Sequence, residues 1–144
     1  MLLPHDRYDD ELIATILRET KTIALLGASP NPDRPSNRVM RFLLSKGYDV
    51  TPVNPGQAGK ELLGRKVFAT LGDIPTAIDM VDVFRAPEYL PAIVDEMLAM
   101  TPMPRFLWGQ LGVRDDEAAL KAEMAGVVVV MDRCPAIEYP RLIG

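Results

Sequence analysis

Five short apolar runs recur along the chain, at residues 22–28, 48–53, 80–84, 105–108 and 127–131. They are nearly continuous rather than alternating, the pattern of strands buried on both faces. Helical spacing fills the gaps. Leu12, Ile13, Ile16 and Leu17 fall on one face of residues 8–19, with Asp9, Asp10 and Glu11 at the start, where acids suit the helix dipole. A second helix opens near Pro35, carries Val39, Phe42 and Leu43, and stops at Gly47. A third spans 88–100 through Ile93, Val94, Met97 and Leu98, and a fourth spans 115–123. Residues 54–79 are less regular: several glycines predict a loop, an extended piece at 67–69 and one helical turn.

Buried strands alternating with helices predict an α/β fold, a single Rossmann-like, doubly wound parallel sheet of about five strands with helices on both faces. Residues 1–144 read as one domain, with 1–20 an N-terminal amphipathic helix packed on it. In such sheets ligands bind outside the carboxyl ends of the strands. Here those ends carry Gly27-Ala28-Ser29, Asn54-Pro55, Phe84-Arg85, Gln110-Leu111-Gly112 and Asp132-Arg133-Cys134.

The first of these ends is the most informative. Strand, glycine turn and helix form a phosphate-binding unit, because glycine lets the backbone approach the ligand and the helix start offers free N–H groups. Yet no second glycine follows at the dinucleotide spacing, and the second strand ends in Asn54-Pro55 rather than in the acid that would hold a ribose 2′-OH. This points away from NAD. Ser29 either donates its hydroxyl to a phosphate or caps the turn. Arg34 and Arg38, four apart at a helix start, are unfavourable to the dipole unless an anion offsets them. Asn54-Pro55 reads either as a strand-ending turn or as a nucleoside contact, and Phe84-Arg85 as an aromatic and cationic wall. Gln110 suits a polar contact, and Trp108 suits the core. Asp82 lies inside an apolar strand, which predicts a structural partner such as a backbone N–H or an arginine.

Composition narrows the function further. A net charge of −4 and a pI near 5.0 argue against nucleic acid or an anionic membrane as partner. No apolar stretch exceeds strand length, the start lacks a signal-peptide pattern, and one cysteine, Cys134, fits a reducing cytoplasm. His5, the sole histidine, is expected in a frayed terminus, which removes histidine-based metal sites and triads. No catalytic or metal-binding residue emerges. Cys134 beside Arg133 raises only the idea of a mixed disulfide with a thiol ligand.

The runs GASPNPDRPSNRV, GYDVTPVNP, DMVDVFR, WGQLGV and VVMDRCPAIE, in that order, resemble the stand-alone CoA-binding proteins of bacteria and archaea. Their domain is similar to the N-terminal CoA-binding domain of the succinyl-CoA synthetase α subunit. The resemblance covers residues 12–142 and implies a Rossmann-like fold that binds coenzyme A. It implies Gly27, Ala28 and Ser29 around the phosphates, and Val53, Asn54 and Pro55 along the adenosine pocket. It also implies Phe84 and Arg85 beside the ligand and Gln110 near the pantetheine path. The synthetase's phosphohistidine and second domain have no counterpart in these motifs, so ligase activity does not carry over.

The leading expectation is therefore a non-catalytic protein for CoA or acyl-CoA. The alternatives are an enzyme or enzyme subunit acting on acyl-CoA thioesters, or an NAD(P)-binding protein. A homodimer or a separate protein partner stays open.

Overall fold

Five of the predicted apolar runs pair side by side in a computed structural model that describes residues 4–144. The expected domain limits also take in residues 1–3, which lie outside the described residues. The chain runs α1 (Asp10–Glu19), β1 (Thr22–Leu26), α2 (Pro35–Ser45), β2 (Asp49–Val53), β3 (Glu61–Leu62), β4 (Arg65–Lys66), β5 (Met80–Val83), α3 (Leu90–Leu98), β6 (Phe106–Gly109), α4 (Asp116–Met124), β7 (Val128–Val130) and α5 (Pro135–Leu142). β3 and β4 form a small antiparallel hairpin. The other five strands make one parallel sheet in the order β2-β1-β5-β6-β7. This is the doubly wound α/β sheet the alternation predicts.

The order reverses once. α2 carries the chain from β1 to β2 on one side, and residues 54–79 bring it back across β1 to β5 on the other. α2 leaves β1 toward β2, and the chain after β5 leaves toward β6 on the opposite side, so a crevice opens between the carboxyl ends of β1 and β5.

Alternate residues of each strand feed two apolar layers. Ala24, Leu26, Val81, Val83, Leu107 and Val129 meet Ile93, Val94 and Met97 of α3 and Ala118, Ala119 and Ala122 of α4. Ile23, Leu25, Met80, Trp108 and Val130 meet Ile13, Ile16 and Leu17 of α1 and Val39, Met40 and Leu43 of α2. Trp108 is fully buried, as expected, and its indole N–H donates to the Arg133 carbonyl at 2.9 Å. Helix ends follow local chemistry. Asp115 caps α4 by accepting from the Ala118 N–H, and α2 closes with Gly47 N–H on the Leu44 carbonyl and Tyr48 N–H on that of Leu43. Gly47 takes φ +91°, the left-handed conformation that such an ending requires.

Three features depart from expectation. The first is α5, which periodicity does not reveal because Pro140 stands inside its eight residues. The second is His5, which is not frayed but only 8% exposed. Its Nε2 lies 2.6 Å from the Glu123 carboxylate, and its Nδ1 lies 2.6 Å from the Tyr8 hydroxyl, which accepts the Met131 N–H at 2.8 Å. These contacts, with the Asp6–Arg114 ion pair at 3.0 Å, tie the segment before α1 across the end of β7. The third is Asp82. It sits fully buried in the central strand between Leu25 of β1 and Trp108 of β6, and neither carboxyl oxygen has a hydrogen-bond partner. The partner expected from sequence is absent among the described residues.

Burial without a partner pushes the Asp82 pKa well above the ordinary carboxylate range. The folded chain then holds this group neutral, while the unfolded chain releases its proton near pH ~3.9. The stability it allows is fully present below that pH and is lost as pH rises through the folded pKa. Asp82→Asn keeps the shape without the ionisation. It should match the parent near pH 4 and exceed it at pH 8, by about 1.4 kcal/mol per unit of upward shift. Urea unfolding from pH 4 to 8 measures this; parallel curves for the two proteins would refute it.

Candidate functional site

The crevice at the strand reversal is shaped by the turn after β1. Gly27 takes φ +86°, and its amide and that of Ala28 both reach the Val53 carbonyl of β2, at 3.0 and 3.3 Å. On the other side the Phe84 N–H donates to the Leu26 carbonyl at 2.8 Å. A β-carbon on Gly27 would stand 3.0 Å from the Phe84 carbonyl oxygen and 3.2 Å from the Arg85 Cδ. Only glycine meets both the dihedral and the approach.

Two cavities flank this glycine. One, of about 410 Å³, is lined by Gly27, Ala28, Ser29, Arg34, Pro35, Ser36, Asn54 and Phe84. It lies at the amino end of α2, where Arg34 is the cap residue but its side chain makes no capping bond and no acid occupies the first turn. α1 and α4, by contrast, are capped by Asp9 and Asp115. The end of an 11-residue helix with no internal acceptor, beside an arginine without a partner among the described residues, favours an anion.

The other cavity, of about 280 Å³, is an apolar slot. Leu26, Gly27, Val53, Pro55, Ala69, Thr70 and Leu71 face Arg85, Tyr89, Ala92, Ile93 and Glu96 of β5's end and α3. The Arg85 guanidinium stacks on the Tyr89 ring, 4.1 Å from its centre. Ala69 reaches the slot because Phe68 before it pairs beside Val53 as a short parallel bridge, with Asn54 N–H on the Phe68 carbonyl at 2.9 Å.

The loop from Ser29 to Arg34 is held from within. Ser29 Oγ accepts the Asn31 N–H, and Asn31 Oδ1 accepts the Asp33 N–H. Asn37, buried in α2, donates to the Ser29 carbonyl at 2.9 Å and accepts from Arg41, which also donates to the Pro32 carbonyl. Asn54 joins the turns: its amide donates to the Ala28 carbonyl at 2.7 Å, and its oxygen accepts the Gly56 N–H. Both polar ends of Asn54 therefore serve the scaffold, although the residue still borders the polar cavity.

Of the residues named from sequence, Gly27, Ala28, Ser29, Arg34, Val53, Asn54, Pro55, Phe84 and Arg85 gather around the two cavities. Arg38 lines neither, and its Nη1 donates to the Asp33 carbonyl at 2.6 Å, which makes it a brace of the loop. Gln110 follows β6 one strand further along and is 7% exposed, with its side-chain oxygen buried and unpartnered. Cys134 is buried at the start of α5 and lines neither cavity, which leaves the mixed-disulfide idea without support. Sequence reasoning missed Thr70, Tyr89, Ile93 and Glu96. They come from a turn and a helix that read only as packing segments. Among the described residues no group of three or more His, Cys, Asp or Glu could hold a metal ion, and no helix is long and apolar enough to cross a membrane.

Comparison with known proteins bears on the domain as a whole. The CoA binding domain family matches residues 21–140, which includes every element around both cavities. The chain belongs to that family. The YneT protein of Bacillus subtilis (strain 168) is 40% identical over 127 residues, 88% of this chain and 91% of its own length. A hypothetical protein from Pyrococcus horikoshii OT3, known by structure, superposes with a TM-score of 0.90 at 41% identity, covering 100% of this chain and 99% of its own. The α subunit of an ADP-forming acetate–CoA ligase from Pyrococcus furiosus is 28% identical over 64% of this chain, which spans only 22% of that subunit.

The close approach at Gly27 is testable against a built-in control. Gly59 has a similar φ, +84°, but open space where its β-carbon would go. Gly27→Ala and Gly59→Ala share the dihedral penalty, roughly 1 kcal/mol, and only the former adds a backbone clash. Gly27→Ala should therefore lower the melting temperature clearly more than Gly59→Ala. Equal losses would mean that the turn relaxes without cost.

Proposed function

We propose that this chain binds coenzyme A or an acyl-CoA across Gly27 and does not itself transform it. The observation that carries the reading is the pair of cavities either side of one glycine, in a chain of the CoA binding domain family. Adenine, flat and apolar on its faces, suits the slot. The pyrophosphate suits the amino end of α2, with Arg34 free to pair with it or with the 3′-phosphate. Gln110 offers an unpartnered acceptor to a pantetheine amide N–H further along the strand ends. The setting in which this reading applies is the cytoplasm.

The geometry disfavours NAD. β2 ends at Val53 and is followed by Asn54, so no carboxylate stands there to take a ribose 2′-OH, and the Asn54 amide is already engaged. A second reading has the chain present CoA to a separately encoded catalytic partner; the likeness to an acetate–CoA ligase α subunit favours it. Purification of a stoichiometric heteromer would select that reading over a free-standing binder or a homodimer.

Calorimetric titration should give tight binding of CoA and weak binding of NAD; the reverse order would overturn the cofactor assignment. Arg34→Ala should weaken CoA about tenfold or more, the worth of a charge-assisted hydrogen bond of roughly 1.5–3 kcal/mol. A loss for CoA but not for dephospho-CoA puts Arg34 on the 3′-phosphate, and equal losses put it on the pyrophosphate. No loss with either ligand removes Arg34 from the site.

A further inference from the structure

We infer that Glu96 reads the base of the bound nucleotide, accepting a hydrogen bond from the exocyclic amine of adenine and rejecting a 6-oxo purine. The inference rests on the proposed placement of the adenine in the apolar slot. Most of that slot cannot tell one purine from another. Leu26, Val53 and Ile93 offer apolar surface that any flat ring satisfies. Discrimination must come from the polar side chains that border it, which are Thr70, Arg85, Tyr89 and Glu96.

The four differ in what they can recognise. The hydroxyls of Thr70 and Tyr89 donate or accept, so they adapt to an amine or to a carbonyl. Arg85 only donates, and its guanidinium is already stacked on Tyr89. Glu96 is half-buried, and its carboxylate has no hydrogen bond or ion pair among the described residues. It lies one turn after Ala92 and Ile93 on α3, on the helix face that borders the slot. An ionised carboxylate accepts only. Facing the edge of a base, it complements an amine and repels a carbonyl oxygen. A half-buried carboxylate without a partner is an unusual choice for the wall of an apolar slot unless the occupant brings the donor. It also borders a third cavity, with Gly72, Ile74 and Met100.

The test compares CoA with its analogue in which hypoxanthine replaces adenine, by calorimetry on the intact chain. The parent should bind CoA at least about tenfold more tightly, since a charge-assisted hydrogen bond is exchanged for a repulsion. In Glu96→Gln the carboxamide can turn its N–H₂ toward O6, and the preference should collapse to within about threefold at an unchanged melting temperature. Glu96→Ala should lose the preference as well, by weakening CoA and relieving the repulsion of the hypoxanthine analogue. A preference that survives in both variants overturns the inference, as does a parent that binds both ligands equally. A parent that binds neither ligand overturns the CoA reading itself, and this inference with it.

Discussion

The turn at Gly27 is confined from three directions, and the crevice takes its form from that confinement. Its amide is held by the Val53 carbonyl, the residue before it accepts the Phe84 N–H, and its missing side chain leaves room for the Phe84 carbonyl 3.0 Å from where a β-carbon would stand. The turn after β1 is thereby held down between the ends of β2 and β5. Were it to rise by the radius of a methyl group, the polar cavity and the apolar slot would lose their shared wall. A reversal of strand order opens a crevice in any sheet of this kind; here one glycine divides it into two unlike chambers.

Those chambers separate tasks that one surface performs badly. An apolar slot binds a ring through area, at about 25 cal/mol per Å² removed from water, and does so best when it is dry. Phosphate binding needs donors and positive potential, which an apolar wall cannot supply. The arginines after the turn divide the second task. Arg38 and Arg41 are spent on the loop's own carbonyls, at Asp33 and Pro32, and so hold Arg34 beside the cavity with its guanidinium uncommitted. On the proposed reading, a site prepared in this way would lose less conformational freedom on taking up an anion.

Much of the fold was legible because its strands are buried on both faces, and continuous apolar runs such as Val127 to Met131 have few other readings. Each predicted strand falls on a real one, with ends that differ by a residue or two. The turn at Gly27 was legible for the same reason: glycine at a strand's end is a local signal. The slot was not. It is assembled from residues 53, 70, 89 and 96, which are brought together only by the crossover to β5, and nothing local distinguishes Glu96 from the other acids on helix surfaces. α5 was hidden by Pro140, and the anchoring of His5 by the distance, 118 residues, to its partner Glu123. Pairings of that range leave no periodic trace.

Asp82 shows the same limit from the opposite side. A carboxyl in an apolar strand argues for a partner, because an unpaired buried charge costs several kcal/mol. The chain avoids that cost by keeping the group neutral instead of pairing it. Its neighbours explain why this is tolerated: Leu25 and Trp108 flank it in register, and no donor lies within reach. Gln110, just past β6 and two residues after Trp108, adds a third orphaned oxygen. Two buried side chains with unsatisfied oxygens are a standing cost to the folded state, at about 1–3 kcal/mol for each unpaired group. On the proposed reading, a ligand amide at the carboxyl edge relieves that cost for Gln110. For Asp82, one step deeper, protonation removes the charge and leaves the missing hydrogen bonds as the residual cost.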